Sequence, residues 1–438
     1  MIFFKHILPK RVTSKTQIMK ITKLLAIALL LVVQANSQTS SNLSLDSCYA
    51  LAKKNYPLLK QMVLLEKSKD YSIDNASKAY LPQINFAGQA TYQSEVTKIP
   101  IVLPGINIKE LNKDQYKVYA EINQSLSDPI LIKQQKELIQ ANTKTEEEKI
   151  SVELYKIKDR INQLYFGILI LDAQRVQTEL LMKDLEVGIK KTEAAITNGT
   201  ALKSQADLLQ AELLKVEQRL IELKSSRKAF SDMLSVFINQ QITETESLPV
   251  PVIQSLNQTI NRPELKLFET QKKSFGIQSQ ILAAKNIPKL SLFFQGGYGR
   301  PTLNALSNDF GTYYIGGARF SWNVSNYYTL KKEKQIQGIN QNLIDVQKDV
   351  FLFNTNLALK QQNGEVMKLT ELLKTDKKMI ALREQIKNTA NVQLENGTIT
   401  PSDYLNALNA EDQAKQSLAL HSLELLMAQY TYQNTSGN

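Results

Sequence analysis

Between Ile150 and Leu171, seven aliphatic residues (Ile150, Leu154, Ile157, Ile161, Leu164, Ile168 and Leu171) alternate steps of four and three. That spacing holds an apolar seam against a neighbouring helix over several turns and is the mark of a coiled coil. An offset second stripe, Val152, Tyr155, Phe166, Leu169 and Val176, runs along the same segment. A helix with two apolar edges suits a ring or sheet of helices better than a two-stranded rope. No Pro and only two Gly interrupt residues 130–197. The spacing therefore predicts a rod of about 68 residues, ~100 Å long at ~1.5 Å per residue.

A second rod is predicted from about Leu330 to Glu395. Ile336, Ile339, Leu343, Val346, Val350, Phe353 and Leu357 keep the three-four spacing, and Leu352, Leu359, Val366, Leu373 and Ile380 recur at sevens. Each rod ends in the same polar turn, Asn198-Gly199-Thr200 or Asn396-Gly397-Thr398, where Gly permits the left-handed backbone that closes a helix. A returning helix follows each turn. Leu209, Leu213, Val216, Leu220, Leu223, Phe230, Leu234 and Phe237 carry the first, and residues from about Ser402 to Tyr432 form the second. These are two antiparallel helical hairpins with their turns at the far end.

The hairpins belong to a tandem repeat. Placing residues 57–92 over 263–298, at an offset of 206, matches Pro57 with Pro263, Lys60 with Lys266, Lys67 with Lys273, Pro82 with Pro288 and Tyr92 with Tyr298. From Gln124 onward the offset is 198, which brings the two Asn-Gly-Thr turns and Ser204 and Ser402 together. The change of eight falls between paired strands, where loops tolerate length variation. The expected organisation is a signal region at 1–37, a first repeat at 38–238, a connector at 239–262 and a second repeat at 263–438.

Within each repeat a helix (about Leu58 to Lys78, or Glu264 to Lys285) stops before Pro82 or Pro288, and a strand follows. Ile84, Phe86, Ala90 and Tyr92 alternate with mostly polar residues, as do Leu290, Leu292 and Phe294. The return strands alternate more cleanly: Val118, Ala120, Ile122 and Leu126 oppose Lys117, Glu121, Asn123 and Ser125, and Ala318, Phe320, Trp322 and Val324 oppose Arg319, Ser321 and Asn323. Strands of 9 to 11 residues with one apolar and one charged face fit a division between lipid and a watery lumen. Four strands cannot close a barrel, so several chains must contribute.

The first residues read as an export signal. Lys20 and Lys23 precede an apolar run from Leu24 to Val33, too short for a retained span, and small and polar residues follow to Ser37, where cleavage is expected. Met19, followed by Lys20, is the better start. Six of the basic residues behind the net charge of +11 lie before Gln38, with no acid among them; without them the chain carries about +5, spread over mixed-charge helices. Nucleic acid is therefore not the expected partner.

Enzyme chemistry finds little to work with. His421 is the only histidine after the signal region and Cys48 the only cysteine, so neither a His-based triad nor a His/Cys metal cluster can be assembled within one chain. No cofactor is expected. Cys48 follows Leu45, Asp46 and Ser47, and the charge at Asp46 makes a poor lipid-attachment box; buried packing is its expected role. Gly296-Gly297-Tyr298-Gly299 has no helix after it and reads as strand bends or close packing.

The signal segment, the run Leu45-Asp-Ser-Cys-Tyr-Ala-Leu-Ala-Lys-Lys-Asn-Tyr-Pro57, the Leu-Pro or Ile-Pro before a strand in each repeat, the hairpins and the two Asn-Gly-Thr turns together resemble the TolC-like outer membrane efflux proteins. The resemblance covers about residues 43–434. It implies a mainly α chain with a small β part. It also implies a homotrimer in which four strands per chain form a twelve-stranded barrel through the outer membrane, continuous with an α-helical tunnel in the periplasm. In that family the hairpin tips meet a periplasmic adaptor joined to an inner-membrane pump; by position these are Asn198, Gly199, Thr200, Asn396, Gly397 and Thr398. Family members constrict the periplasmic mouth with acidic residues six positions after each tip glycine. Asp403 fits; in the first repeat Gln205 stands there and Asp207 follows two residues later. The implied function is a passive exit duct of a tripartite efflux or type I secretion system. A soluble periplasmic coiled-coil scaffold or adaptor accounts for the rods but leaves the four amphipathic strands unexplained.

Overall fold

The computed structural model describes residues 43–97, 110–252, 257–304 and 306–438. The signal region, its start at Met19 and its cleavage near Ser37 lie outside the described residues. Two short helices, α1 (Leu45–Asn55) and α2 (Leu59–Lys78), lead to the hairpin β1 (Gln83–Tyr92) and β2 (Asp114–Ser125). The rod α3 (Asp128–Thr197) and its return α4 (Lys203–Ile238) follow. Then come α5 (Pro263–Lys285), β3 (Lys289–Arg300), β4 (Gly311–Ser321), a one-turn 3-10 helix (Val324–Asn326), the second rod α6 (Tyr327–Glu395) and its return α7 (Pro401–Ser436). The rods contain 70 and 69 residues, each ~105 Å long at ~1.5 Å per residue.

The seam that predicts the first rod is its buried face. Ile150, Leu154, Ile157, Ile161, Leu164 and Ile168 are all buried, and so are Val152, Phe166 and Leu169 of the offset stripe. The first set joins Leu43, Leu45, Cys48 and Ala52 before and within α1, Leu234 and Ile238 of α4, Ile242 and Leu248 of the connector and Leu423 of α7 in one core at mid-height. Cys48 is fully buried there, and burial pushes its thiol up to about 12. A buried Arg227 staples the connector: its guanidinium reaches Asp172 on α3 at 2.7 Å and the Glu246 carbonyl at 2.6 Å. A buried charge of this kind is held only where it is both paired and hydrogen-bonded.

The strands form one antiparallel sheet in the order β1-β2-β3-β4. The register pairs Ile84 with Ile122, Ile122 with Phe294, and Leu290 with Phe320, so the even-numbered residues of all four strands share one face. Helices follow the same lateral order above mid-height, α2 on α3, α3 on α5, α5 on α6. Both layers therefore end at the same two edges: β1 above α2, and β4 beside α6.

One sequence expectation fails at the end of β4. The alternation through Trp322 and Val324 predicts a longer strand, but the strand stops at Ser321 and Val324 lies in the 3-10 turn. The Trp322 indole donates to the Asn286 carbonyl at 3.2 Å, and the Tyr327 hydroxyl donates to the same oxygen at 3.1 Å. These side chains lock the sheet-to-helix junction instead of extending the sheet.

Candidate functional site

Two features could conduct and admit a solute: the sheet with its two unlike faces, and the end of the helical hairpins. On the sheet, the shared even face carries Ile84, Phe86, Val118, Leu292, Tyr314 and Phe320, all exposed in the single chain. A soluble protein seldom leaves so large an apolar surface facing water. The odd face is polar, with Asn85 and Gln89 on β1, Lys117 and Glu121 on β2, and Arg319 on β4. Arg319 reaches Glu121 at 3.3 Å and lies 4.7 Å from the centre of the Phe293 ring. The glycines of β3 allow close packing: a Cβ at Gly299 would stand 2.3 Å from the Tyr116 carbonyl oxygen, and one at Gly297 would stand 2.8 Å from the Tyr313 ring.

At the far end, both turns close their rods in the same way. Gly199 and Gly397 have φ of 73° and 63°. The amide of Thr200 bonds back to Ala195 O at 2.8 Å and that of Thr398 to Gln393 O at 2.9 Å, the six-to-one bond that terminates a helix. Each threonine hydroxyl donates to that same carbonyl at 3.0 Å. The Asn-Gly-Thr triplet is thus a complete stop signal. Both glycines face open space, since a Cβ added at either would meet no atom within 4 Å.

Asp403 and Gln205 are the third residues of their helices. Asp403 Oδ2 accepts from the Thr400 amide at 3.1 Å and from its hydroxyl at 2.6 Å, while the Asp403 amide donates to Thr400 Oγ1 at 3.2 Å. This reciprocal box caps α7 and, chiefly through the Thr400 hydroxyl, holds the Asp403 carboxyl below its ordinary range. Gln205 Oε1 accepts from the Leu202 amide at 3.2 Å, a neutral version of the same device. Asp403 and Asp207 are exposed and Gln205 is half-buried. The Thr400-Pro-Ser-Asp403 box was written in the sequence and marks the start of α7 more sharply than the periodicity does.

Just inside the tips, all four long helices share a core: Leu181, Leu185 and Ile189 of α3, Leu209, Leu213 and Val216 of α4, Ala390 of α6, and Tyr404, Leu405 and Leu408 of α7. Polar ties join the rods around it. Lys387 pairs with Asp184 at 2.9 Å, and Lys191 contacts both Glu395 and Asn391. Further along, Asp412 is buried with Gln416 donating to its Oδ2 at 2.6 Å, while its Oδ1 has no hydrogen-bond partner among the described residues. Desolvation pushes this carboxyl up to about 6, against the opposing pull of Arg219. His421 bonds through Nδ1 to Asp376 at 2.7 Å, tying α7 to α6. These long-range polar pairs have no local pattern that sequence reasoning could have found.

Among the described residues, no group of His, Cys, Asp and Glu side chains is placed to hold a metal ion. No described helix is long and apolar enough to cross a membrane.

No protein-family model matches the chain. No curated protein matches it in sequence. Solved structures do match. The outer membrane protein VceC of Vibrio cholerae superposes with a TM-score of 0.65 at 13% identity, over 90% of this chain and 96% of its own. The open state of the MtrE outer membrane channel of Neisseria gonorrhoeae gives 0.64 at 13% identity, over 90% and 89% of the two chains. The CmeC outer membrane channel of Campylobacter jejuni gives 0.62 at 12% identity, over 90% and 85%. The fold is the TolC-like one, mainly helical with a small antiparallel sheet.

Proposed function

We propose that this protein is the outer membrane exit duct of a tripartite efflux or type I secretion system, formed by three copies of the chain. One observation carries this: a sheet that is apolar on one face and polar on the other ends at the same two edges as the helical layer beneath it. Strand direction alternates from β1 to β4, so β4 of one copy can pair antiparallel with β1 of the next. Three copies then give twelve strands with no edge left open. The apolar even face meets lipid and the polar odd face holds water.

The helical edge supports the same ring. Ile336, Ile339, Leu343, Val346, Val350, Phe353 and Leu357 are each 52–69% exposed on α6, and Val63, Leu64 and Tyr71 are exposed on α2. In a closed ring these two surfaces face each other between copies, which explains a heptad seam left bare in one chain. Residues 38–238 and 263–438 act as two tandem units joined by 239–262.

The tips Asn198, Gly199, Thr200, Asn396, Gly397 and Thr398 are the proposed contacts for a periplasmic adaptor that leads to an inner-membrane pump. Asp403, with Gln205 and Asp207, would line the periplasmic mouth. The duct is passive, requires no cofactor or metal, has no catalytic residues and does not bind nucleic acid.

Extraction and reconstitution test this. Washing membranes without detergent should leave the protein in place, detergent should release an oligomer of three chains, and that oligomer should conduct ions in a lipid bilayer. A folded monomer in aqueous buffer would support the soluble periplasmic scaffold instead.

A further inference from the structure

The polar face of the sheet is not evenly charged. Reading the odd positions of all four strands through the register, its charged residues are Lys117, Glu121, Lys289 and Arg319. The sole acid, Glu121, is already engaged by Arg319. The other acid within the strands, Asp114, falls on the even face and is paired with Arg300. Lys117 and Lys289 are left on the polar face, with no ion pair to an acid among the described residues.

Their heights differ. Lys289 opens β3 opposite Ser321, at the junction with the helices, and Arg319 lies opposite Ser291 just above it. Lys117 lies opposite Gly299, near the other end of the strands. The separation along β3 from Lys289 to Gly299 is ~30 Å at ~3.3 Å per residue. β1 contributes only neutral side chains to this face. In a ring of three, a cationic belt would stand at each end of the barrel, with the neutralised Glu121–Arg319 pairs between them.

We propose that the barrel section of the duct favours anionic solutes over cationic ones, and that Lys117 and Lys289 set this preference. The inference rests on the proposed duct. Rings of basic side chains lower the cost of an anion entering a narrow aqueous pore and raise that of a cation. The passengers it suits are organic anions bearing carboxylate, sulfonate or phosphate groups.

The experiment is a zero-current potential across a planar bilayer holding the full-length protein in a KCl gradient. It compares wild type with Lys117→Gln/Lys289→Gln and with Glu121→Gln. Carboxylates at the periplasmic mouth contribute equally to all three proteins, so the comparison isolates the barrel. The double variant should lower the chloride-to-potassium permeability ratio by about threefold, and Glu121→Gln should raise it. Both shifts should shrink at 1 M salt, where the screening length falls to ~3 Å from ~10 Å at 0.1 M. The same ordering is expected for benzenesulfonate against benzyltrimethylammonium. A ratio that both variants leave unchanged, or that moves the opposite way, overturns the inference while the duct stands. A wild-type protein that forms no conducting pore overturns the duct and the inference together.

Discussion

Tyr404 on α7 closes against Gly188 on α3: a Cβ at Gly188 would stand 3.0 Å from the ring Cε1. Tyr404 is almost fully buried, so the ring has little room to retreat. This contact joins the first hairpin to the second just inside the tips. Gly188→Ala should be mildly destabilising, because the ring must give by a few tenths of an ångström against its packed surroundings. Gly188→Val should destabilise the paired hairpins by ~1–3 kcal/mol, the usual cost of overpacking. Thermal unfolding of the detergent-solubilised protein would measure it, and equal melting temperatures for the two variants would count against a tight joint.

Asp403 combines two roles that substitutions can separate. Asp403→Asn removes the charge but keeps an acceptor for the Thr400 amide, whereas Asp403→Ala removes both. If Asp403 lines the mouth, both variants should raise single-channel conductance or weaken block by multivalent cations. Only the alanine variant should speed hydrogen exchange in the first turn of α7. The carboxyl is held below its ordinary range, so the stability its charge adds to the cap is present above that range and lost as pH falls through the depressed value. Unchanged block in both variants would confine Asp403 to capping.

On α6, Leu343 and Phe353 are 54% and 69% exposed. Leu343→Asp/Phe353→Asp should leave the chain's own helices formed yet prevent association of copies, since each side chain contributes ~1.5–3 kcal/mol when covered. Analytical ultracentrifugation in detergent should find monomers. Persistence of the oligomer would remove this stripe from the interface.

Asp412 gives a pH signature. Its carboxyl is raised from 3.8 to about 6 by burial, so the folded state holds the proton more tightly than the unfolded chain does. The penalty for ionisation is therefore absent well below pH 3.8, grows as pH rises from there to about 6, and is complete above pH 6, at up to ~3 kcal/mol per chain. Asp412→Asn should raise the melting temperature at pH 8 and raise it much less at pH 4. A gain of equal size at both pH values would point to better packing rather than to charge.

The rods, their turns and the strand alternation were legible because each is a local, periodic pattern: Ile150 to Ile168 had to be a seam, and Gly199 and Gly397 had to end helices. The Thr400–Asp403 box was equally local. Less legible was the end of β4, where Trp322 continues the alternation but is held sideways by Asn286, far back in the chain. The Arg227–Asp172 staple and the buried Asp412 depend on partners from other helices, and nothing near them in sequence announces that. The second rod shows a further limit. Periodicity located the stripe from Ile336 to Leu357, but a pattern of spacing carries no label for whether the surface it seeks belongs to the same molecule.

In the proposed ring, that bare stripe makes completion a matter of mass action. A single chain leaves this outer seam wetted until neighbours are abundant enough to cover it. Dilute chains would then spend longer open to proteases than crowded ones, and the supply of chains would govern how many rings of the proposed kind accumulate.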